Sequence, residues 1–462
     1  MNSKKRAWNI TRFALLTVIL LASLGLGSSR AGAPRQTQTV ENGPGWTLIS
    51  IPDVRFEDGF GYSAAVDAGT LVVSAPGTPL PDKQVEATIR EISAGGLAGA
   101  VYIFQRAGED WTEAKKLTPG DAEAGDQFGV RLALSADTLA VSAPYKWTPE
   151  GGNASGVVYI FKREGEGWTQ QAKLSAPDGA PFDLFGNALA LKGNTLAVGA
   201  RAADSAGMAN SGAVYVFQRQ GEEWSLQSRL AAEEPAARDY FGESILLTED
   251  ALIIGAPGHD ENTSDDNFGG VYLYRGSGKG WQSAGQLSTP DLEKDAEFGY
   301  SLALNERSGT LVAFAQNKGP VPDLGPESEN YGSLVNYTGG AYLFAGQGTD
   351  WRYQERLIPE QREYAPFYFV REARLALNES DASQEYLILA MAITGTYLFE
   401  RQGEQWDERT WPRIPYKDTG AYLGGWFLGM SEGVLVLQTL HPVETDVPAI
   451  LLIDLAKWRE NP

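Results

Sequence analysis

Residues 185–230 hold one complete copy of a pattern that recurs along this chain. The copy reads Phe185-Gly-Asn-Ala-Leu-Ala-Leu191, Leu196-Ala-Val-Gly-Ala200, Gly212-Ala-Val-Tyr-Val-Phe217 and Trp224-Ser-Leu-Gln-Ser-Arg-Leu230. The segments are short and rich in Val, Leu, Tyr and Phe, and Gly, Asn, Asp and Pro interrupt the copies between them. Such runs are typical of β-strands. One copy therefore predicts a sheet of four strands.

The same order of segments returns at a regular spacing. The Phe-Gly pair that opens a copy is found at Phe60, Phe128, Phe185, Phe241 and Phe298. The tryptophan that opens the fourth segment is found at Trp46, Trp111, Trp168, Trp224, Trp281, Trp351 and Trp406. Four strands repeated at roughly 50 residues predict a β-propeller, because one such sheet cannot cover both of its own faces. Seven tryptophans in register predict seven blades.

The two ends of the chain complement each other. The seventh copy keeps Leu423-Gly424 in place of Phe-Gly and a third strand at 449–453, but no complete fourth strand follows Trp458. Residues 46–51 have the pattern of a fourth strand with no first three strands before it. We therefore predict an all-β, seven-bladed propeller of four-stranded antiparallel blades over residues 45–462. The N-terminal strand closes it by pairing as the outer strand of the last blade, which removes exposed sheet edges.

The first residues are typical of an export signal. Basic residues precede an apolar run from Phe13 to Leu26, and small residues follow up to Ala31. The run is shorter than the ~20 residues that a membrane-spanning helix needs. We predict a signal peptide over residues 1–31, a flexible leader over 32–44, and a secreted or extracytoplasmic protein, periplasmic or at the cell surface, with no membrane span in the mature chain. The alternative is a segment retained as an anchor.

The composition excludes several classes of function. The chain has 462 residues with 38 Lys and Arg against 59 Asp and Glu, and its net charge of −21 repels nucleic-acid phosphates. It has no cysteine, which excludes disulfides and thiolate metal sites. Its two histidines, His259 and His441, are too few for a zinc cluster or a histidine-based catalytic set. We predict no catalytic residue, no cofactor, no nucleic-acid partner and a monomer.

The order of these motifs resembles the FG-GAP repeat. The Gly-Ala-Pro-like element of the repeat stands at Ser74-Ala-Pro76, Ser142-Ala-Pro144, Gly199-Ala200 and Gly255-Ala-Pro257. The resemblance covers residues 46–458. It implies the seven-bladed propeller of integrin α-subunits, whose repeats also occur in secreted and surface proteins of bacteria. It implies a propeller used for adhesion or binding, with no chemistry attached.

The calcium loop of the integrin-like members is not found in this sequence. In those members the motif Asp-x-Asp/Asn-x-Asp-Gly lies between the Phe-Gly strand and the next strand. Tight turns such as Lys192-Gly-Asn-Thr195 and Thr248-Glu-Asp250 take its place here. Calcium takes about 6–8 oxygen ligands, more than the one or two carboxylates of such a turn supply. We therefore predict no metal site.

Acidic residues recur where the chain passes from one blade to the next. The residues closest to the Phe-Gly pairs are Asp58, Asp126, Asp183, Asp239 and Asp295, and a second series stands farther upstream at Asp53, Asp121, Asp178 and Asp291. One interpretation is that the side chains accept backbone N–H groups in the turns between blades. A second is a ring of carboxylates at the mouth of the central channel that attracts a cation or a basic partner. A third is a glycosidase acid–base pair, which needs two carboxylates about 5–10 Å apart.

The loops between the second and third strands are long and differ from blade to blade. In a propeller they share a face with the connections between blades, and variable loops on a rigid scaffold often carry function. The candidate binding residues in them are Tyr145, Trp147, His259, Asp260, Asp265, Asp266, Tyr331 and Tyr337. Aromatic rings mixed with hydrogen-bonding groups are typical of a recognition surface. The alternative is a set of solvated loops without a ligand, in which His259 is a solvated histidine.

The tryptophans and tyrosines that recur in the copies are expected to pack between blades, because a core layer needs a residue in every blade whereas a binding site does not. The predicted function is an exported, non-enzymatic propeller that binds a protein or glycan partner through its loop-bearing face. The alternative is an extracytoplasmic glycosidase or polysaccharide lyase that uses the channel-mouth carboxylates. A third possibility is a stable exported scaffold.

Overall fold

The fold is seen in a computed structural model. It describes residues 39–43, 45–51, 54, 58–77, 98–108, 110–123, 125–165, 167–259, 267–277, 280–292, 294–315, 340–358, 370–377, 385–391, 395–409, 414–416, 421–423, 426–431, 434–440, 448–454 and 457. The predicted signal peptide, residues 1–31, lies outside these ranges.

Thirty-one strands follow one another along the described chain. The first two are β1 (Thr39–Gly43) and β2 (Trp46–Ser50). Blade 1 contains β3 (Ala64–Asp67), β4 (Thr70–Ala75), β5 (Ala100–Ala107) and β6 (Asp110–Leu117). Blade 2 contains β7 (Leu132–Ser135), β8 (Thr138–Ala143), β9 (Val157–Glu164) and β10 (Gly167–Leu174). Blade 3 contains β11 (Ala188–Lys192), β12 (Thr195–Ala200), β13 (Ala213–Gln220) and β14 (Glu223–Leu230).

The remaining strands continue the same order. Blade 4 contains β15 (Ser244–Leu247), β16 (Ala251–Ala256), β17 (Gly270–Arg275) and β18 (Gln282–Gln286). Blade 5 contains β19 (Ser301–Asn305), β20 (Thr310–Ala315), β21 (Gly340–Gln347) and β22 (Asp350–Leu357). Blade 6 contains β23 (Val370–Leu377), β24 (Glu385–Met391), β25 (Gly395–Gln402) and β26 (Gln405–Arg409). A hairpin of β27 (Ile414–Tyr416) and β28 (Ala421–Leu423) precedes β29 (Trp426–Ser431), β30 (Val434–Leu440) and β31 (Pro448–Asp454) of blade 7.

Tight turns join neighbouring strands of a blade. In blade 3, Lys192 pairs with Thr195 across a two-residue loop, and Gln220 pairs with Glu223 across another. Two-residue loops with glycine at a positive φ, such as Gly193, favour antiparallel hairpins. Blades 1 to 6 therefore pair their four strands antiparallel and in sequence order.

The first strands of the blades form a closed ring. In chain order β3, β7, β11, β15, β19, β23 and β29 each contact the next, and β29 contacts β3 again. Two separate lobes would break this sequence of contacts. The structure confirms the predicted propeller of seven blades.

The N-terminal strand closes the ring. β2 pairs antiparallel with β31, opposing Ile49 to Ile450 and Ser50 to Ala449, so that it forms the fourth strand of blade 7. This confirms the predicted outer strand. β1 pairs on the outside of β2 as a fifth strand. β1 lies within residues 32–44, for which the sequence predicted a flexible leader. Backbone pairing with β2, rather than apolar side chains, holds it there.

Both faces of a blade are buried, which explains the continuous apolar runs of the third strands. In β13, Val214 and Val216 belong to the apolar cluster shared with blade 4, whereas Tyr215 and Phe217 belong to the cluster shared with blade 2. All four side chains are at most 4% exposed. Successive strand residues point to opposite faces, and each face is covered by a neighbouring blade.

One repeat tryptophan lies in each apolar cluster between adjacent blades, as expected from its recurrence. The seven clusters of the described residues contain Trp111 between blades 7 and 1, Trp168 between 1 and 2, Trp224 between 2 and 3, Trp281 between 3 and 4, Trp351 between 4 and 5, Trp406 between 5 and 6, and Trp46 between 6 and 7. A large aromatic side chain fills the space where radial sheets diverge.

The Phe-Gly pair fastens each of blades 2 to 5 to the preceding blade. The Phe241 N–H donates to the Ser211 carbonyl at 3.0 Å, next to Gly212 at the end of the loop between β12 and β13. A Cβ on Gly212 would lie 2.1 Å from the Phe241 carbonyl oxygen, so only glycine allows this approach. The same approach occurs at Gly99, Gly156 and Gly269. These contacts explain why the Phe-Gly pair and the glycine before the third strand recur together.

Candidate functional site

The loops between second and third strands and the connections between blades lie on one face of the ring, here called the loop face. Gly212 at the end of such a loop pairs in parallel with Phe241 at the end of a connection, and Gly269 pairs with Phe298 in the same way. The variable loops therefore share a face with the recurring acids, as the sequence pattern predicts.

Three of the candidate acids are buried in the connections between blades. Asp126 and Asp183 are each 5% exposed and Asp239 is 0% exposed. Each accepts a backbone N–H from the residue three positions earlier, at 2.8 Å from Glu123 and Ala180 and 2.7 Å from Ala236. These carboxylates hold their own turns together, as the first interpretation of the sequence proposed. Asp58 and Asp295 are partly exposed.

The turns that these aspartates hold contain a strained backbone. In the connection to blade 3, Phe182 and Leu184 on either side of Asp183 have φ of 71° and 58°. A left-handed conformation costs a non-glycine residue about 1–2 kcal/mol. Both N–H groups donate to the preceding loop, Phe182 to Asn153 O at 2.8 Å and Leu184 to Ala154 O at 3.1 Å. The strain is therefore offset by hydrogen bonds between blades.

The residue 20 positions after each buried aspartate lies in the loop between second and third strands of the same blade. It is Lys146 in blade 2, Ala203 in blade 3 and His259 in blade 4. Lys146 Nζ lies 2.6 Å from Asp126 Oδ2, and both side chains are about 95% buried. Nζ also donates to the Asp121 carbonyl at 2.8 Å. Motif reasoning missed this buried ion pair, although the constant spacing was present in the sequence.

The charge of the buried aspartates is therefore balanced differently in each blade. Burial raises the pKa of Asp126 above its ordinary value, and Lys146 opposes that effect. In blade 3, burial raises the pKa of Asp183 to about 6, and the nearby Asp204 and Asp178 add to the increase. Ala203 supplies no cation there. Arg229 lowers the pKa of Asp183 only partly.

Replacing Asp183 with asparagine is expected to stabilise the protein at pH 8 and not at pH 3.5. The pKa of Asp183 in the folded chain, about 6, lies above the ordinary value of 3.8. Its contribution to stability is therefore complete below pH 3.8 and is lost as the pH rises through 6. Asparagine keeps an oxygen for the Ala180 N–H and carries no charge. We expect a gain of about 1–2 kcal/mol at pH 8, reduced by solvent screening at the loop face.

Urea unfolding of the two proteins at both pH values measures this gain. Asp178→Asn is the matched control, because it removes a half-exposed carboxylate that pairs with Arg229 at 2.9 Å and should not stabilise the fold. An Asp183→Asn variant that is no more stable than the natural protein at pH 8 would contradict the assignment.

The upstream acids fix the recurring tyrosines. Asp121 accepts the Tyr159 O–H at 2.8 Å and pairs with Lys173 at 2.6 Å. Asp178 accepts the Tyr215 O–H at 2.8 Å. The tyrosine rings are buried and pack edge-on against the Phe-Gly phenylalanines, with ring centroids 5.5 Å apart in blades 2 and 3. These acids and aromatic rings therefore act in packing.

Trp147 is the most exposed large hydrophobic side chain of the described residues, at 52%. Its neighbours Lys146 and Thr148 are buried. Thr148 and Gly152 exchange backbone hydrogen bonds of 3.1 and 2.8 Å, and the Thr148 hydroxyl lies 2.8 Å from that of Ser155. The loop thus presents the indole from a backbone that is fixed on both sides.

Met208 occupies a comparable place in blade 3, where it is 42% exposed. Ser205 and Met208 form a backbone bridge, and the Ser211 hydroxyl donates to the Met208 carbonyl at 2.9 Å. Asp204 accepts the Asn210 N–H at 2.9 Å. Sequence reasoning did not select Met208, because a lone methionine in a polar loop gives no pattern.

The other candidate residues are placed as follows. Tyr145 is partly buried beside Trp147. The side chain of His259 is 15% exposed, so it is not a solvated loop histidine; Asp239 and Tyr272 enclose it. The remaining candidates lie outside the described residues: Asp260, Asp265, Asp266, Tyr331, Tyr337 and Asp53.

The described residues contain no group of three or more His, Asp and Glu side chains placed to hold a metal ion. Within the same residues, no helix combines the length and apolar character that crossing a membrane requires.

The chain has been compared with known proteins. The FG-GAP repeat family matches residues 111–161, 168–217 and 224–274, each beginning at a repeat tryptophan. No curated protein matches the chain. Among solved structures, U3-55K is 9% identical with a TM-score of 0.46, covering 90% of this chain and 98% of its own. The periplasmic gluconolactonase PpgL of Pseudomonas aeruginosa is 14% identical with a TM-score of 0.44, covering 77% of this chain and 92% of its own. The chain is a seven-bladed β-propeller that contains FG-GAP repeats.

Proposed function

We propose that this chain is an exported, non-enzymatic binding module that recognises a protein partner through the loop face of blades 2 and 3. The observation that carries the proposal is the exposure of Trp147 and Met208, the two most exposed large hydrophobic side chains of the described residues. Both lie in loops on the face where blades differ most.

The two exposed side chains stand on loops whose backbone is already ordered. Tryptophan is the side chain most often found at binding hot spots, and the flexible methionine adapts to a partner's shape. The loops that carry them are already held by internal hydrogen bonds. A partner would therefore order little additional backbone on binding, which lowers the entropic cost. The exposed methionine favours a protein partner over a glycan. Aromatic rings alone would suit a glycan as well.

The proposal places the protein outside the cytoplasm. Residues 1–31 are typical of a signal peptide, and the strongly acidic chain repels itself in solution, which favours a monomer. The proposed module uses no metal and no cofactor.

Replacing Trp147 with alanine is expected to weaken partner binding by roughly 30-fold, the effect of losing a hot spot of about 2 kcal/mol. The full chain is first screened against secreted and surface proteins and against a glycan array. Affinity for each ligand found is then measured by surface plasmon resonance for Trp147→Ala and Met208→Ala.

Glu222→Ala is the control for this measurement, because Glu222 is exposed in the turn between β13 and β14, on the opposite face. It should bind as the natural protein does. Ligands whose affinity is unchanged in both loop variants would refute the proposed site, and binding restricted to glycans would replace the protein partner by a carbohydrate.

The second candidate is an extracytoplasmic glycosidase or polysaccharide lyase. The observation that favours it is Asp183, whose pKa of about 6 suits a general acid. The charged groups that act on Asp183 are Asp178, Asp204 and Arg229. Asp126 instead pairs with Lys146. Cleavage of a polysaccharide by the natural protein that is lost in Asp183→Asn would establish this candidate in place of the first.

A further inference from the structure

A buried carboxylate oxygen of Asp239 lacks a hydrogen-bond partner. Asp239 is 0% exposed, and its Oδ2 accepts the Ala236 N–H at 2.7 Å. Its Oδ1 has no hydrogen-bond partner. A buried carboxylate oxygen without a partner is costly, since it has lost water and gained nothing in return.

The group nearest to this oxygen is an imidazole. His259 Nδ1 lies 3.6 Å from Asp239 Oδ1, just beyond hydrogen-bond distance, and 3.2 Å from the Tyr272 hydroxyl. Burial is the main cause that raises the pKa of Tyr272, so its hydroxyl stays protonated. The tyrosine hydroxyl can therefore donate a hydrogen bond to Nδ1 of a neutral histidine. A protonated histidine would instead have Nδ1–H to donate to the aspartate.

Among the described residues, few charged groups surround the cluster. Asp239 comes from the connection between blades 3 and 4, and Glu233 of that connection acts on Tyr272 from farther away. Tyr272 and Tyr274 come from β17, and Gln286 of β18 hydrogen-bonds Tyr272. No cation of the fourth strand lies over the Tyr272 ring, whereas Lys173 and Arg229 cover the equivalent rings of blades 2 and 3. Among the described residues, His259 is thus the group that can supply a positive charge here.

Blade 2 shows what the same framework does with a permanent cation. Asp126 has the same backbone hydrogen bond and the same spacing to the loop, and Lys146 closes on it at 2.6 Å. The pair ties the connection between blades to the loop. Blade 4 has the same carboxylate but a group whose charge depends on pH.

We infer that Asp239 and His259 form a proton-operated clamp between the connection to blade 4 and the loop that follows β16. When His259 takes up a proton, its Nδ1–H turns to Asp239 Oδ1 and the clamp closes as it does permanently in blade 2. When the proton is lost, Asp239 keeps an unpaired oxygen and the clamp loosens. Histidine is the side chain type whose charge ordinarily changes between about pH 5 and 8.

The clamp bears on the joint between two blades. The His259 carbonyl accepts the Gly269 N–H at 2.9 Å, and Gly269 is the glycine against which Phe298 of blade 5 packs. Closing the clamp at low pH therefore stabilises the contact between blades 4 and 5. The inference does not depend on the proposed binding function.

The direction of the pH effect follows from linkage. Protonated His259 faces the Asp239 carboxylate in the folded chain, whereas the two groups are apart in the unfolded chain. The closed clamp therefore favours folding as the pH falls through the range in which histidine gains its proton. Asp183 would produce an effect of the same sign. The test is therefore made in the Asp183→Asn background, which removes that source.

The experiment compares melting temperatures at pH 5.5 and 8.0 for full-length Asp183→Asn alone and combined with His259→Gln, His259→Lys or Asp239→Asn. In the background protein, melting is expected to rise at pH 5.5 by at least ~2 °C more than in His259→Gln and Asp239→Asn. His259→Lys copies the pair of blade 2 and should lose the pH dependence while keeping the stability of the closed state. Hydrogen exchange of the Gly269 amide at pH 5.5 should be slower in the background protein than in His259→Gln, because only the background protein can close the clamp.

Each outcome decides the inference. A pH gain that is unchanged in His259→Gln or Asp239→Asn would overturn it, and so would faster Gly269 exchange in the background protein at pH 5.5 than in His259→Gln. If His259→Lys does not fold, the comparison of the other two variants with the background still decides.

Discussion

Replacing Ile49 with aspartate should leave the chain without a stable fold. Ile49 is 0% exposed, lies in β2 between β1 and β31, and belongs to the apolar cluster between blades 7 and 1. A carboxylate there would be buried without a partner, which costs several kcal/mol before any lost packing is counted. That penalty approaches the whole stability of a typical domain, about 5–15 kcal/mol. We expect insoluble protein or a chain with no cooperative thermal transition.

Ile49→Val is the matched control, because it removes one methylene and keeps the apolar contact. It should melt cooperatively and cost about 1 kcal/mol. A soluble Ile49→Asp protein with the melting curve of the natural chain would mean that β2 does not complete blade 7.

Replacing Gly212 with alanine should destabilise the fold by about 2–5 kcal/mol. Gly212 has φ of 88°, which costs alanine about 1–2 kcal/mol. Its Cβ would also meet the Phe241 carbonyl oxygen at 2.1 Å and the Phe241 nitrogen at 2.4 Å. Both atoms belong to the backbone of the next blade, so the joint between blades 3 and 4 must open, at a further cost of about 1–3 kcal/mol.

Gly207→Ala separates the two costs. Gly207 lies in the same loop with φ of 79°, but a Cβ there would find no atom within 4 Å. Its substitution should cost only about 1–2 kcal/mol. Chemical unfolding of both variants measures the difference, and equal losses would show that the approach of Phe241 does not constrain Gly212.

The period of the sequence was sufficient to predict the fold. A residue that packs between blades must recur in every blade, so Trp111, Trp168 and Trp224 keep a fixed place relative to Phe-Gly. The same regularity predicted ring closure. Every other repeat tryptophan follows three strands of its own copy, whereas the segment at Trp46 follows none. β1 escaped prediction because Thr39–Gly43 has no apolar face and depends on pairing with β2.

The candidate functional positions are harder to predict because they are the ones that do not repeat. The residue facing the buried aspartate changes from Lys146 to Ala203 to His259, and only comparison at the constant 20-residue spacing reveals that these positions correspond. Exposure is equally hidden. Trp147 is the same residue type as the seven repeat tryptophans, so residue type alone does not reveal its exposure. The exposure depends on hydrogen bonds within the loop, which the sequence does not display.

The most direct test of ring closure is a disulfide between β2 and β31. Ser50 and Ala449 oppose each other in register and are both buried and small. Opposed residues of antiparallel strands have Cα atoms about 4.5–5.5 Å apart, within disulfide range. The natural chain has no cysteine, so Ser50→Cys with Ala449→Cys contains only the intended pair. Thr47→Cys with Ala449→Cys, three register positions out of line, is the control.

Mild oxidation of the folded Ser50→Cys, Ala449→Cys monomer is expected to form an intramolecular disulfide nearly completely and to raise the melting temperature. Neither effect is expected in the control. A folded monomer in which both thiols remain reduced and reactive would contradict the closure of the propeller by its N-terminal strand.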